Sequence, residues 1–591
     1  MKDKNYKLKD KSNISDVEEN EKFSFLTCKT LWNDFDDTLP LQSSKTGEMH
    51  YENVTYEEYY FSGRKTASGR VRIYGLYVTP TGGESKSALL YIPEITEKMS
   101  YEAINKYAKL GYSVLAVDLY GKREGAENFT VYPNDVNFAN YESRGNSMDK
   151  IEKSARETSW YEWVAVCKYS LKFLRETNGI EKVGVMGIKT GANIAWQLAA
   201  TEDDLACAVM LFGGGWTAYK GIPYFSHKEL VMDEERWHYI SAIDAHAYAP
   251  FVRCPVLYLT STNSEVADFD RVNITLSRVN KEVERVFNFA PAFNVYLDNF
   301  CKKDVELFFK KYFDGKEVQF AAAPELEISQ DDNYLTLSVK FFEPTRVSEC
   351  RVFINEGVIE PELRNWEVCD PFYDDEESGQ LTVSESFGSE ATRKFSHVLN
   401  GEAKEVFAFA VVRYRNGGAL SSYLTYKKLA PSNSAPKSSN LVYTSKDKLE
   451  GLAFYDKNIE DKKDVFVDEN ELITLVEGPN GIYGAYSRYG LISYKLNEPG
   501  CKVHESSLVN MDVYASEFCV MRLILMCKTD DGVTEYYYYS EVKASKIWKG
   551  ITASLSEFKT ADGKAVKDYE SVFALRIESD GKFAVNNILL L

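Results

Sequence analysis

Between residues 88 and 313 short apolar runs alternate with amphipathic stretches, and few chain architectures accommodate that alternation. Strands are expected at Ala88–Ile92, Val114–Asp118, Val183–Gly187, Ala206–Phe212, Pro255–Thr260 and Val286–Phe289. Between them lie helical patterns at Tyr101–Leu110, Ser159–Glu176, Ala192–Ala200, Asp268–Val279 and Asp298–Phe313. A strand that is apolar at every position is covered on both faces, and parallel strands joined by helices supply that cover. Residues 51–322 therefore read as an α/β domain, a mostly parallel sheet with helices on both faces. With 44% hydrophobic and 27% charged residues, the chain is neither disordered nor collagen-like.

The period changes after Phe320-Ala-Ala-Ala-Pro324. Residues 323–430 show alternating strands, such as Leu335–Val339 and Val406–Arg413, with turn residues between them and no helical pattern. An immunoglobulin-like sandwich is expected there. The stretch Pro431-Ser-Asn-Ser-Ala-Pro-Lys-Ser-Ser-Asn440 is a linker by composition. Residues 441–591 are strand-rich again and of a size for a jelly roll. Residues 1–50 are polar and lack periodicity, as expected of an extension that packs on the first domain or stays mobile. The expected fold class is thus multidomain: an α/β domain followed by two all-β sandwiches.

Composition narrows the partners. Lys and Arg number 70 against 89 Asp and Glu, a net charge of -19. Such an excess repels phosphate backbones and anionic lipid, so neither nucleic acid nor a membrane surface is expected as a partner. The ten cysteines are scattered with no CxxC pair, which suggests reduced thiols rather than disulfides or zinc. No cluster has metal-ligand spacing, and no cofactor motif is present; Gly213-Gly-Gly-Trp216 lacks both P-loop and GxGxxG spacing. The first residues have no apolar core of a secretory signal, and no run of about 18 apolar residues occurs. A soluble, cytoplasmic protein is the expectation.

The strand–turn–helix Gly187-Ile188-Lys189-Thr190-Gly191, with Asp118-Leu-Tyr-Gly121, Trp160-Tyr-Glu-Trp163 and Tyr248-Ala-Pro250 around it, resembles the α/β-hydrolase superfamily. The likeness is greatest to its acetyl-xylan-esterase and dienelactone-hydrolase-like branch and covers about half the chain. It implies a nucleophile elbow, G-x-S-x-G, whose two glycines permit a strained turn that lifts one side chain clear of the sheet. Here Gly187 and Gly191 are in place but Lys189 stands where the serine belongs. An ammonium with a pKa near 10.4 is a poor acyl-transfer nucleophile unless strongly desolvated.

The resemblance also implies an acid and then a histidine later in the chain. The histidines are His50, His227, His238, His246, His397 and His504, and none falls between Val286 and Phe313, where the base loop must lie. Asn294, Val295 and Tyr296 occupy that place, with Val295 as the vacated base position. The acid position falls at Ser264, with Glu265 beside it. Without a histidine to orient, Glu265, Asp268 and Asp270 read as a solvated turn and a helix N-terminus. Where the family often has His-Gly after the first buried strand, this chain has Pro93-Glu94-Ile95, and a carboxylate there opposes a developing oxyanion. His246 reads as structural rather than as a relocated base.

Residues 441–591 resemble a galactose-binding-like jelly roll of the kind used in carbohydrate-binding modules, on Glu477-Gly-Pro-Asn-Gly-Ile-Tyr-Gly484 and Trp548-Lys-Gly-Ile-Thr-Ala-Ser-Leu555. Tyr483, Tyr486, Arg488 and Tyr538 offer the flat faces and donors that a pyranose ring needs, though in the run Tyr536–Tyr539 one alternate pair faces the core. The expected function is a catalytically defective hydrolase-like protein that recognises a carbohydrate or another small molecule. An active esterase on acylated sugars, with a base from elsewhere, and a scaffold with a protein partner both stay open.

Overall fold

The computed structural model describes residues 25–591 apart from 83–84, 98, 146–147, 227–231, 292–294, 372–385, 388–389, 401, 432–439, 456–463, 469–471 and 530–531. The expected linker falls almost wholly outside the described residues, as do His227 and Asn294.

The first unit is built on a nine-stranded sheet. Its strands are β1 (Ser44–Tyr51), β2 (Val54–Lys65), β3 (Arg70–Pro80), β4 (Ser87–Ile92), β5 (Ser113–Val117), β6 (Lys182–Ile188), β7 (Ala208–Leu211), β8 (Val256–Ser261) and β9 (Arg285–Ala290). The spatial order is β1-β2-β3-β5-β4-β6-β7-β8-β9. From β5 to β9 every pairing is parallel, and β1, β2 and β3 add an antiparallel edge. The sheet is thus mixed, and it begins inside the stretch that composition sets apart as an extension. Before it, Leu31 and Leu41 are buried against the same core.

The helices are α1 (Tyr101–Lys109), α2 (Ser159–Glu176), α3 (Thr190–Thr201), α4 (Glu234–Ala242), α5 (Ala245–Tyr248), α6 (Phe269–Ser277) and α7 (Asn299–Tyr312). Side chains three apart on a strand point to opposite faces. On β6, a Cβ at Gly184 would strike Phe313 at the end of α7, whereas one at Gly187 would strike α3. Helices therefore cover both faces. Capping fixes their starts: Ser100, Thr158, Asp233, Asp268 and Asp298 each accept a backbone N–H of the first turn.

Two pairs of antiparallel sheets follow. Five-stranded sheets centred on the pairs Tyr334–Phe342/Glu390–Val398 and Val347–Glu356/Glu405–Tyr414 form the middle unit. A six-stranded sheet around Leu508–Tyr514 and Ala584–Leu590 and a five-stranded one around Cys519–Thr529 and Val572–Ser579 form the last. One apolar core runs through all three units. The ten cysteines are free. Among the described residues no helix is long and apolar enough to cross a membrane.

Candidate active site and its relatives

The sharp turn between β6 and α3 has the elbow geometry although its tip is a lysine. Lys189 sits at φ 52° and ψ −112°, a region that a residue with a Cβ adopts only under strain. Its N–H donates to Leu211 O on β7 at 2.8 Å, and its carbonyl accepts from Ala192 at 3.0 Å, so strand and helix hold the turn between them. The glycines are required by space. A Cβ on Gly187 would lie 2.1 Å from Gly191 O, and one on Gly191 2.2 Å from Ile92 O. The scaffold of a nucleophile elbow is intact.

The polar groups around it are engaged with one another. In an elbow the N–H of the residue after the nucleophile faces the oxyanion. Here Thr190 N–H donates to Glu94 Oε2 at 2.9 Å, and Thr190 Oγ1 donates to Glu94 Oε1 at 2.9 Å. A carboxylate of the chain itself thus occupies the donor that an oxyanion needs. The Lys189 ammonium lies 3.1 Å from Glu97 Oε1, so its charge is compensated from the same loop after β4.

The acid and base loops carry other contacts. Ser264 is buried and its Oγ accepts from the N–H groups of Val266 and Ala267, a local turn. Asn263 Nδ2 donates to the carbonyls of Glu362 and Arg364 in the middle unit, at 3.1 and 2.8 Å. As expected of a turn leading into a helix N-terminus, Glu265 is exposed, Asp268 caps α6 and Asp270 lies in its first turn; Asp268 also pairs with Arg271, but Asp270, rather than facing solvent, is fully buried against Arg364. The base loop is stitched to the last unit: Leu297 N–H donates to Val465 O at 2.8 Å, and Val467 N–H donates to Leu297 O at 2.9 Å. Val295 and Tyr296 precede that stitch, and Tyr296 packs on Phe454 with ring centroids 5.5 Å apart.

The described histidines lie elsewhere. His246 Nδ1 is 3.0 Å from Asp244 Oδ1, and its ring stacks on Trp216 at 4.3 Å. His238 accepts the Leu26 N–H at 3.2 Å and stacks on Phe25, and burial lowers its pKa. His397 pairs with Glu356 at 2.6 Å. Burial works against its charge, but the Glu356 hydrogen bond and the nearby Glu367 and Glu498 hold its pKa above the usual range. Among the described residues no group of three or more His, Cys, Asp or Glu side chains is placed to hold a metal.

The four residues expected to bind a sugar do not converge. Tyr483 and Tyr486 lie on a strand of the six-stranded sheet and Tyr538 on the five-stranded one. Tyr483 is 47% exposed, whereas Tyr486 packs edge-on against Phe583 and Tyr538 packs at a tilt on Phe558. The exposed member of the tyrosine run is Tyr539, stacked on Tyr537. Arg488 lies over the Tyr489 ring and donates to its hydroxyl. A different aromatic group is better formed. The Trp548 ring is so close to Gly478 and Gly484 that a Cβ on either would come within 2.6 Å of it, and Tyr514 lies beside it at 5.9 Å. Asp512, two residues before Tyr514, accepts from Asn587 Nδ2 at 2.8 Å. The glycines in 477–484 mark this bed in the sequence, but they name no ring.

Comparison with known proteins bears on the first unit only. The dienelactone hydrolase family matches residues 73–288. An acetyl xylan esterase from Paenibacillus sp. R4 is 15% identical, over 48% of this chain and 92% of that one, with a TM-score of 0.37. Acetyl xylan esterase 1 from Thermoanaerobacterium sp. JW/SL YS485 is 15% identical over 48% of this chain and 93% of that one, with a TM-score of 0.38. No curated protein matches the sequence. The elbow, the parallel strands β4 to β9 and the matched residues together make this unit an α/β-hydrolase-like domain, similar over residues 73–288 to the dienelactone hydrolase family and continued by all-β sheets that lie outside the match.

Proposed function

We propose that this chain is a non-catalytic member of the hydrolase fold that acts by recognition, with carbohydrate as the ligand of its last unit. The Glu94 carboxylate on the Thr190 N–H carries the first part. Acyl transfer needs that donor for a developing negative charge, and a resident carboxylate both blocks it and repels such charge. Lys189 at the tip, engaged by Glu97, supplies no nucleophile, and no described imidazole reaches the elbow. The Trp548 ring on its glycine bed, with Tyr514 beside it and Asp512 and Asn587 on neighbouring positions, supports the second part. Pyranose C–H groups lie on indole faces, and carboxamide and carboxylate groups take the hydroxyls.

Hydrolysis of p-nitrophenyl acetate by the native chain and by Lys189→Ser tests the first part. Neither is expected to exceed background, and turnover that vanishes in Lys189→Ala overturns the reading in favour of an active esterase. A glycan array probed with the full chain and with Trp548→Ala tests the second. Binding lost in the variant supports it, and a blank array favours a scaffold with a protein partner.

A further inference from the structure

All three units meet around a cleft of about 500 Å³, apart from the elbow and apart from the Trp548 face. Small-molecule sites commonly fall at domain junctions and span about 300–1,000 Å³. Pro291 and Asp298 of the first unit close one side, Phe353 and Trp366 of the middle unit another, and Lys448 to Phe454 with Ile473 a third.

Three features of its lining point to one ligand chemistry. Trp366 is 3% exposed, and its indole N–H meets no acceptor. A buried donor without a partner is costly, and an oxygen acceptor entering the cleft removes that cost. Lys448 at the rim is held at φ 58° and ψ −112°, a conformation unfavourable to any residue but glycine. It is exposed and makes no ion pair among the described residues, unlike Arg351 and Arg413, which are held by Glu450 and Glu349. The remaining acids are engaged: Glu450 by Arg351, and Asp298 by capping α7. Phe353, Leu452 and Ile473 are buried and apolar.

We infer that this three-unit cleft binds a small organic acid, its carboxylate received by Lys448 and the Trp366 N–H and its apolar body lying against Phe353, Leu452 and Ile473. The acid joins the three units at one point, so its binding also stabilises the whole chain. The inference is independent of whether the elbow is active or the last unit binds sugar.

Calorimetry on the intact chain with 4-phenylbutyrate, and with its methyl ester as the neutral counterpart, tests this. The acid is expected to bind saturably and to raise the melting temperature. The ester is expected to bind about tenfold more weakly, and Trp366→Phe and Lys448→Met each to weaken the acid by about three- to tenfold. Lys448 is exposed, so its variant decides the matter even where Trp366→Phe fails to fold. No saturable heat with the acid, equal binding of acid and ester, or native affinity in Lys448→Met each overturns the inference. Binding of a neutral monosaccharide in the same cleft without binding of the acid overturns it as well.

Discussion

Asp270 and Arg364, 94 residues apart in sequence, meet in a two-pronged ion pair in which neither side chain is exposed, Nη1 to Oδ1 at 2.5 Å and Nη2 to Oδ2 at 2.8 Å. The guanidinium also donates to Val358 O and lies 3.7 Å over the Phe407 ring. Asp270 belongs to α6 of the hydrolase-like unit and Arg364 to the middle one, so this pair welds the two. Removing one partner leaves a buried charge without compensation. Asp270→Asn or Arg364→Leu is expected to destabilise the chain by about 3–5 kcal/mol, and the double replacement by apolar residues by much less. Denaturant unfolding followed by near-ultraviolet circular dichroism checks both, and a small loss in the single variants contradicts the assignment.

The Glu94–Thr190 contact gives a second expectation. Charge-assisted bonds to a helix N-terminus are worth more than neutral ones, so Glu94→Ala should cost about 1–3 kcal/mol. It should not produce esterase activity, even with Lys189→Ser, because the acid and base loops are engaged elsewhere. Thermal melting and a chromogenic ester assay on the double variant measure the two halves separately.

A buried charged cluster lies where the middle and last units meet, and it should respond to pH. Lys495 pairs with Glu367 and, at 2.5 Å, with Glu498, and Asn365 donates to Glu498 at 2.9 Å. His397 and Glu356 lie alongside. Burial and then the Glu367 charge push Glu498 up to about 7, and His397 is also raised. Both groups bind protons more readily folded than unfolded. Their contribution is therefore full at low pH, falls as pH rises from about 4.5 to 7 for Glu498, and falls from about 6.5 upward for His397. Glu367, held low mainly by Lys495 against the effect of burial, runs the other way and loses its contribution only in acid. Protection factors at Asn365 and Asn400, taken relative to the intrinsic rise of exchange with pH, should fall between pH 6 and 8, and Glu498→Gln should flatten that fall.

His238 should behave oppositely. Its lowered pKa means that the unfolded chain holds the proton more tightly, so stability is lost as pH falls below about 6.5. Protonation also removes the lone pair that accepts the Leu26 N–H. The segment around Phe25–Leu26 should become cleavable by a protease active near pH 5 and stay protected at pH 8.

Much of the first unit is legible in the sequence because its strands are apolar at every position and its helices carry caps. The helix Ser159–Glu176 is read with the bounds it has. The antiparallel edge is not, since Val54–Lys65 mixes Tyr with Glu and is half-buried along much of its length, so neither period dominates. At the elbow, Gly187, Lys189 and Gly191 are local and readable. The roles of Asn263, Asp270 and Leu297 are not, because their partners lie at Arg364 and Val465 and no local pattern marks a partner so distant. The same limit hides the role of Trp548, whose bed of Gly478 in a turn and Gly484 on a strand lies some 65–70 positions earlier in sequence.

The stitch between Leu297 and the stretch around Val465–Val467 bears on how such a chain changes over generations. On the proposed non-catalytic reading, hydrolysis by the usual triad needs a hydroxyl at 189, a withdrawn carboxylate at 94, and an imidazole on a loop now anchored to a neighbour. Each step taken singly weakens an existing contact and returns no chemistry. On that reading the three changes help only together, and the anchored loop sets the order in which they could be made.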